Sequence, residues 1–161
     1  MAEIIFVCNG NMCRSPMAEG IMKRALTENG LEASLCVSSM GIHAHEGNSA
    51  TDHAVEICRE NGIDISNHRS RPLIPDELKL STFIFVMETV QIDFIDIFFP
   101  QVSDRLYMLA AWPVRKIKKA TIQDPVGRSL ATYRKTFTIL QQQIDRILPE
   151  MVIRYKGIQT L

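Results

Sequence analysis

Four short apolar runs, each followed by polar or turn-forming residues, organise the chain. Ile4 to Cys8 is apolar without alternation and rich in β-branched residues, as in a strand buried on both faces. Residues 34 to 39, SLCVSS, read as a second strand. TFIFVM, 82 to 87, is the most hydrophobic, and RLYMLAAW, 105 to 112, supplies a fourth. Helical periodicity fills the intervals. Ser15 is a candidate N-cap with Pro16 at the first helical position, followed by Met17, Ile21 and Ala25 on one face and a stop at Asn29-Gly30. Residues 48 to 62 give a helix with Ala54, Ile57 and Cys58 inward, ended by Gly62. Residues 63 to 75, IDISNHRSRPLIP, read as a loop broken by Pro72 and Pro75. A short helix through VQIDFIDIFF stops at Pro100. A long one runs from about Leu130 to Leu148, with Tyr133, Phe137, Leu140, Ile144 and Ile147 in one stripe. Residues from Pro149 on carry no clear stop signal, and 149–161 is expected as a loose tail.

Alternation of apolar strands with helices indicates an α/β fold, a parallel sheet covered by helices on both faces. At 161 residues, one domain over 1–161 is expected. Positive and negative side chains balance at 18 each, which argues against a general nucleic-acid binder. No apolar stretch reaches the roughly eighteen residues of a membrane span, and the N-terminus lacks a signal-peptide pattern, so a cytoplasmic location is expected. There the four cysteines, Cys8, Cys13, Cys36 and Cys58, would be thiols. Their spacing fits neither a redox C-x-x-C nor a zinc site, so no metal or cofactor is expected; Cys36 and Cys58 read as buried filler.

The loop after the first strand carries the chemistry. In an open α/β sheet ligands bind beyond the carboxyl ends of the strands, where Cys8 sits. Asn9, Gly10, Asn11, Met12, Cys13 and Arg14 follow, then Ser15-Pro16 and a helix. Gly10 and the two asparagines tolerate the backbone angles of a tight loop that turns N–H groups inward as an anion nest. The helix N-terminus adds its positive end. That field favours thiolate over thiol at Cys8. Arg14 offers paired donors that match two phosphoryl oxygens. Cysteine, arginine and loop N–H groups together suit attack on a phosphate ester. The loop lacks the Gly-Lys-Ser/Thr of a nucleotide-binding P-loop. Asp124, in QDPVG, stiffened by Pro125 and turned by Gly127, is a candidate general acid, and then base, for the leaving group.

VCNGNMCRSPMAEG, VSSMG, NGIDISNHRSRPL and QDPVGRSLATY, in this order, resemble the low-molecular-weight protein tyrosine phosphatases over roughly residues 3 to 148. The resemblance implies a three-layer sandwich with a four-stranded parallel sheet in order 2-1-3-4. It implies Cys8 as nucleophile, Arg14 as phosphate ligand, Asp124 as acid, and a phosphate-binding loop from Cys8 to Ser15. Asn11, Ser15, Ser39 and His68 match positions that brace that loop, and Ser15 also matches the hydroxyl that stabilises the leaving thiolate. Cys13 matches a thiol that traps oxidised Cys8 as a disulfide, with simple packing under the loop as the alternative. Implied partners are phosphorylated proteins, with phosphate as product, no nucleic acid and no membrane, and a monomer or weak dimer. Where many members carry aromatic residues after the Asp-Pro, this chain has Val126-Gly127, and a tryptophan position falls in HAHEGN, where His43 and His45 are partial substitutes. VGRSLATY resembles bacterial members, including arginine-phosphate phosphatases, whereas bulky Met12 leans the reading toward an aryl phosphate. An arsenate reductase lacks its relay here, since no cysteine follows Cys58; a non-catalytic phosphoprotein-binding module remains a further alternative. The basic run VRKIKKATIQD reads as a solvated turn or a steering patch. FIDIFF reads mainly as core, with a dimer contact as a minor use.

Overall fold

All four apolar runs become strands of one parallel sheet in a computed structural model that describes residues 2–159, with side chains described through 158. Strands β1 (Ala2–Cys8), β2 (Leu35–Gly41), β3 (Phe83–Val86) and β4 (Leu106–Met108) lie in the order β2-β1-β3-β4. Parallel strands need crossovers, and helices lie in them: α1 (Arg14–Glu28), α2 (Asp52–Glu60), α3 (Pro75–Leu80) and α4 (Thr89–Phe98), while α5 (Leu130–Gln159) follows the last strand. Two apolar clusters, one on each side of the sheet, follow from the pleat. Ile4, Phe6 and Cys8 point toward α1, α2 and α5, and Ile5 and Val7 toward α4 and the residues near Leu78.

Several boundaries move. Helix α1 begins at Arg14 with Cys13 at its cap position, and Ser15 caps nothing, because its hydroxyl is engaged by Cys8 and Asn11. Pro16 still falls within the first turn, where no intrahelical N–H bond is lost. Helix α3 starts at Pro75, the last residue of the stretch read as a loop, and covers residues to which no element was assigned; Leu78 is its only buried side chain, too little periodicity to be seen in the sequence. The fourth strand shrinks to three residues. Residues 149–159 are no loose tail: α5 continues through Pro149 to Gln159, because Met151 and Tyr155 extend the buried stripe by two more turns. Residues 160 and 161 lie outside the described residues. Cys36 is exposed rather than buried, on the outer edge strand β2, whereas Cys58 is fully buried.

β1 is flanked on both sides, in register Val7↔Met40 with β2 and Val7↔Val86 with β3. Cys8 therefore ends at the middle of the sheet's carboxyl edge, between the loops that leave β2 and β3.

Candidate active site

The loop 9–13 is held by its carbonyls. Cys8 O accepts from Ile42 N at 3.0 Å, Asn9 O from His43 N at 2.9 Å and Met12 O from Thr51 N at 2.9 Å. Asn11 O lies 2.7 Å from His68 Nε2. In a trans peptide the N–H of the next residue points opposite to the carbonyl. With these carbonyls tied to neighbouring segments, the N–H groups that follow them point the other way.

Asn11, not Gly10, takes the left-handed backbone, at φ 54°. Its side chain stabilises that conformation from within. Nδ2 donates to Ser15 Oγ at 2.8 Å and Ser39 Oγ at 2.9 Å, and Oδ1 accepts from Arg71 N at 2.9 Å. The Ser39 hydroxyl in turn donates to Glu19 Oε2 at 2.6 Å. Gly41 is needed for close approach: a Cβ there would sit 2.6 Å from Asn9 O and 2.9 Å from Asn11 N. The four bracing residues, Asn11, Ser15, Ser39 and His68, are thus joined in one network.

Ser15 Oγ lies 3.0 Å from Cys8 Sγ. Ser15 Oγ also accepts from Asn11 Nδ2 at 2.8 Å and reaches Met40 O at 3.4 Å, so its hydrogen is shared between the sulfur and that carbonyl. Cys8 is almost wholly buried. The Cys13 sulfur lies 3.2 Å from the Tyr133 hydroxyl and 3.4 Å from Thr51 Oγ1. Burial pushes the Cys13 thiol up, partly offset by these two hydrogen bonds, and burial also pushes the Tyr133 phenol up to about 12.

Arg14 is fully buried, and its guanidinium is fixed from three sides. One terminal nitrogen, Nη1, binds the Glu88 carboxylate and donates to Ile122 O at 2.9 Å. The other, Nη2, binds Asp124 Oδ2 at 2.8 Å. Nε is buried with no partner among the described residues. Nε and Nη2 form one edge of the guanidinium, the edge that grips two oxygens of an oxyanion. Here half of that edge is unpaired and half is held by an exposed carboxylate, Asp124, whose side chain is 37% accessible.

Asp124 sits in a tight turn as expected. Its Oδ1 accepts from Val126 N at 3.2 Å, Arg128 N reaches Pro125 O at 2.9 Å, and Gly127 takes φ 72°. Ile122 N donates to Met87 O at 2.9 Å, which ties this loop to the end of β3. Val126 stands exposed beside the acid. His43 is exposed with its ring edge on Phe94; His45 is exposed and offers its backbone carbonyl to Ser70.

Glu88 and Gln91 were not singled out from the sequence. Glu88 caps α4 in a reciprocal box with Gln91 while its carboxylate holds Arg14. Gln91 Nε2 donates to Asn9 Oδ1 at 3.0 Å. A usable signal existed: in a parallel sheet, an acid just past β3 lies at the same edge as Cys8. Among the described residues no group of three or more His, Cys, Asp or Glu side chains is placed to hold a metal ion.

The family model for low molecular weight phosphotyrosine protein phosphatases matches residues 3–156. The chain belongs to this family. Within the phosphatase family it is 34% identical over 149 residues to a protein-arginine-phosphatase of Geobacillus stearothermophilus, covering 92% of this chain and 95% of that one. It is 30% identical over 148 residues to a probable low molecular weight protein-tyrosine-phosphatase of Ralstonia nicotianae, covering 92% and 94%. The structure of a low molecular weight protein tyrosine phosphatase from T. tengcongensis superposes with a TM-score of 0.86 at 32% identity, covering 93% of this chain and 99% of the other.

Proposed function

We propose that this phosphatase hydrolyses phosphotyrosine in proteins through a phosphocysteine intermediate, without a metal. The observation that carries the reading is the half-open Nε–Nη2 edge of Arg14, six residues after a buried Cys8 whose sulfur lies 3.0 Å from Ser15 Oγ. A phosphoryl dianion takes that edge and the N–H groups of the loop, and in doing so releases Asp124 from Arg14. Cys8 sulfur then attacks phosphorus; the S–P bond forms as the P–O bond to the tyrosine breaks. Asp124, freed from Arg14, takes up the proton that leaves the Cys8 thiol and gives it to the leaving oxygen. Equatorial charge is spread over Arg14 and the loop N–H groups. In the second step Asp124 removes a proton from water, whose oxygen bonds to phosphorus as the P–S bond breaks. Ser15 supports the departing thiolate, and phosphate leaves. Glu88 keeps Arg14 oriented throughout.

Val126, exposed two residues after Asp124, offers an apolar side chain suited to an aryl group, while Met12 is partly buried and packs against the core. A second reading, hydrolysis of phosphoarginine with cleavage of P–N, is favoured by the likeness to a protein-arginine-phosphatase. Phosphate release from phosphotyrosine and phosphoarginine peptides, side by side in EDTA, tests both, for the wild type and Cys8→Ser. Turnover of phosphotyrosine by the wild type alone supports the first reading, and turnover of phosphoarginine alone the second. Loss of activity on chelation, or activity surviving in Cys8→Ser, refutes the mechanism.

A further inference from the structure

Helix α4 is apolar on both faces. Ile92 and Ile95 are buried against the sheet, yet Val90, Ile97 and Phe98 are 57%, 71% and 61% accessible, and half-buried Phe94 joins them in a stripe at helical spacing. Isolated exposed apolar side chains are ordinary; a contiguous stripe marks a contact surface. This stripe begins at the rim of the phosphate loop. Gln91, in the first turn of α4, bonds Asn9, and the N–H of His43 donates to Asn9 O. From there three rings lead outward: His43 lies edge-on to Phe94 with centroids 5.7 Å apart, and Phe94 against Phe98 at 4.6 Å. The ledge is up to about 10 Å long, the reach of three residues of extended chain at roughly 3.3 Å each.

We infer that this ledge seats apolar side chains next to the phosphorylated residue of a protein substrate. The inference rests on the phosphatase reading above and deepens it. A phosphorylated side chain that enters the loop brings its backbone across the rim, and the rim beside Asn9 continues directly into the ledge. The acids of α4 do not contradict an apolar occupant, since Asp93 is paired with Lys116 and Asp96 with Arg115.

The test uses two peptides that differ only in the three residues on each flank of the phosphorylated position, Leu-Phe-Leu or Ser-Glu-Ser. Each is made with phosphotyrosine and with phosphoarginine, and kcat/KM is measured on the version that is turned over. An artificial aryl phosphate serves as the control. The wild type is expected to favour the apolar flanks about tenfold, through KM, equivalent to about 1.4 kcal/mol. Phe98→Ser should reduce the preference to about twofold and leave turnover of the aryl phosphate within about twofold of wild type. Equal kcat/KM for both flanks in the wild type, or an unchanged preference in Phe98→Ser, overturns the inference. So does a dimer at assay concentration, seen by sedimentation, that Phe98→Ser dissolves, for a second copy would then fill the ledge. If no peptide is turned over, calorimetric binding of the same peptides to Cys8→Ser gives the ratio and decides in the same way. Failure of the phosphatase reading shows separately, as loss of all turnover of the aryl phosphate.

Discussion

Replacing Asp124 by alanine should have opposite effects on turnover and on phosphate binding. In the resting protein Asp124 holds Nη2 of Arg14 at 2.8 Å, on the edge that a phosphoryl group needs. An entering dianion must displace it. At an effective dielectric of about 20, two unit charges about 4 Å apart attract by about 4 kcal/mol, an upper bound. The Asp124 side chain is 37% accessible, which brings the pair close to the exposed range of up to about 1 kcal/mol. Removing the carboxylate should therefore strengthen binding of inorganic phosphate by about 1 kcal/mol, roughly fivefold. Glu88 remains on Nη1, so the guanidinium keeps its orientation. Turnover moves the other way. Loss of a general acid should lower kcat by about 10²- to 10⁴-fold for a poor leaving group and much less for a good one. The assay is competitive inhibition by phosphate, read with a good-leaving-group aryl phosphate so that the variant still turns over. Phosphate affinity that is unchanged or weaker refutes the displacement argument. Equal loss of kcat for good and poor leaving groups removes Asp124 from the acid role.

Asn11→Ala removes three side-chain hydrogen bonds and leaves alanine at φ 54°. It should cost about 2–4 kcal/mol by chemical denaturation, and a cost below about 0.5 kcal/mol would show that the loop does not depend on that network. Burial pushes the Cys58 thiol from 9.0 up to about 12. A proton held more tightly in the folded state gives stability that is complete below pH 9 and lost as pH rises toward 12, at about 1.4 kcal/mol per pH unit. Urea denaturation at pH 9 and 10 should show a fall about 1 kcal/mol larger in the wild type than in Cys58→Ala; parallel falls would contradict it. Ending the chain after Leu148 removes the buried side chains of Met151 and Tyr155 and the Arg154 guanidinium 4.7 Å over Trp112. A loss of about 3–5 kcal/mol is expected, and an unchanged midpoint would mean that the last turns of α5 contribute nothing.

The sheet was legible because a strand buried on both faces leaves an uninterrupted apolar run, and a parallel strand needs a helix to return. Ile4 to Cys8 and Phe83 to Val86 show both features, and their register follows from those runs. The final helix was misjudged at Pro149 for an energetic reason. A proline inside a helix costs about 3 kcal/mol, so it reads as an end. Burying Met151 and Tyr155 offsets that cost, and the stripe 144, 147, 151, 155 was already at helical spacing. Cys36 shows the converse. On edge strand β2 the pattern alternates, and a small apolar residue is left facing out without penalty. In the site, the loop residues were legible because each is chemically unusual where it stands: a cysteine ending a strand, an arginine entering a helix, an aspartate before proline. Glu88 is not unusual. An acid ahead of a helix reads as an ordinary cap, and it is one. Its second role exists only because β3 pairs with β1, which brings the residue after Met87 level with the loop after Cys8. A side chain with two roles shows its local one in sequence, while its long-range one needs the strand order. Glu88→Gln separates them: the glutamine oxygen still caps α4, but Arg14 loses a negative partner. Stability should then change by less than about 1 kcal/mol. The kcat for the aryl phosphate should fall by about tenfold or more, since Arg14 is no longer held against the loop. A large loss of stability with kcat intact would assign Glu88 to the helix alone.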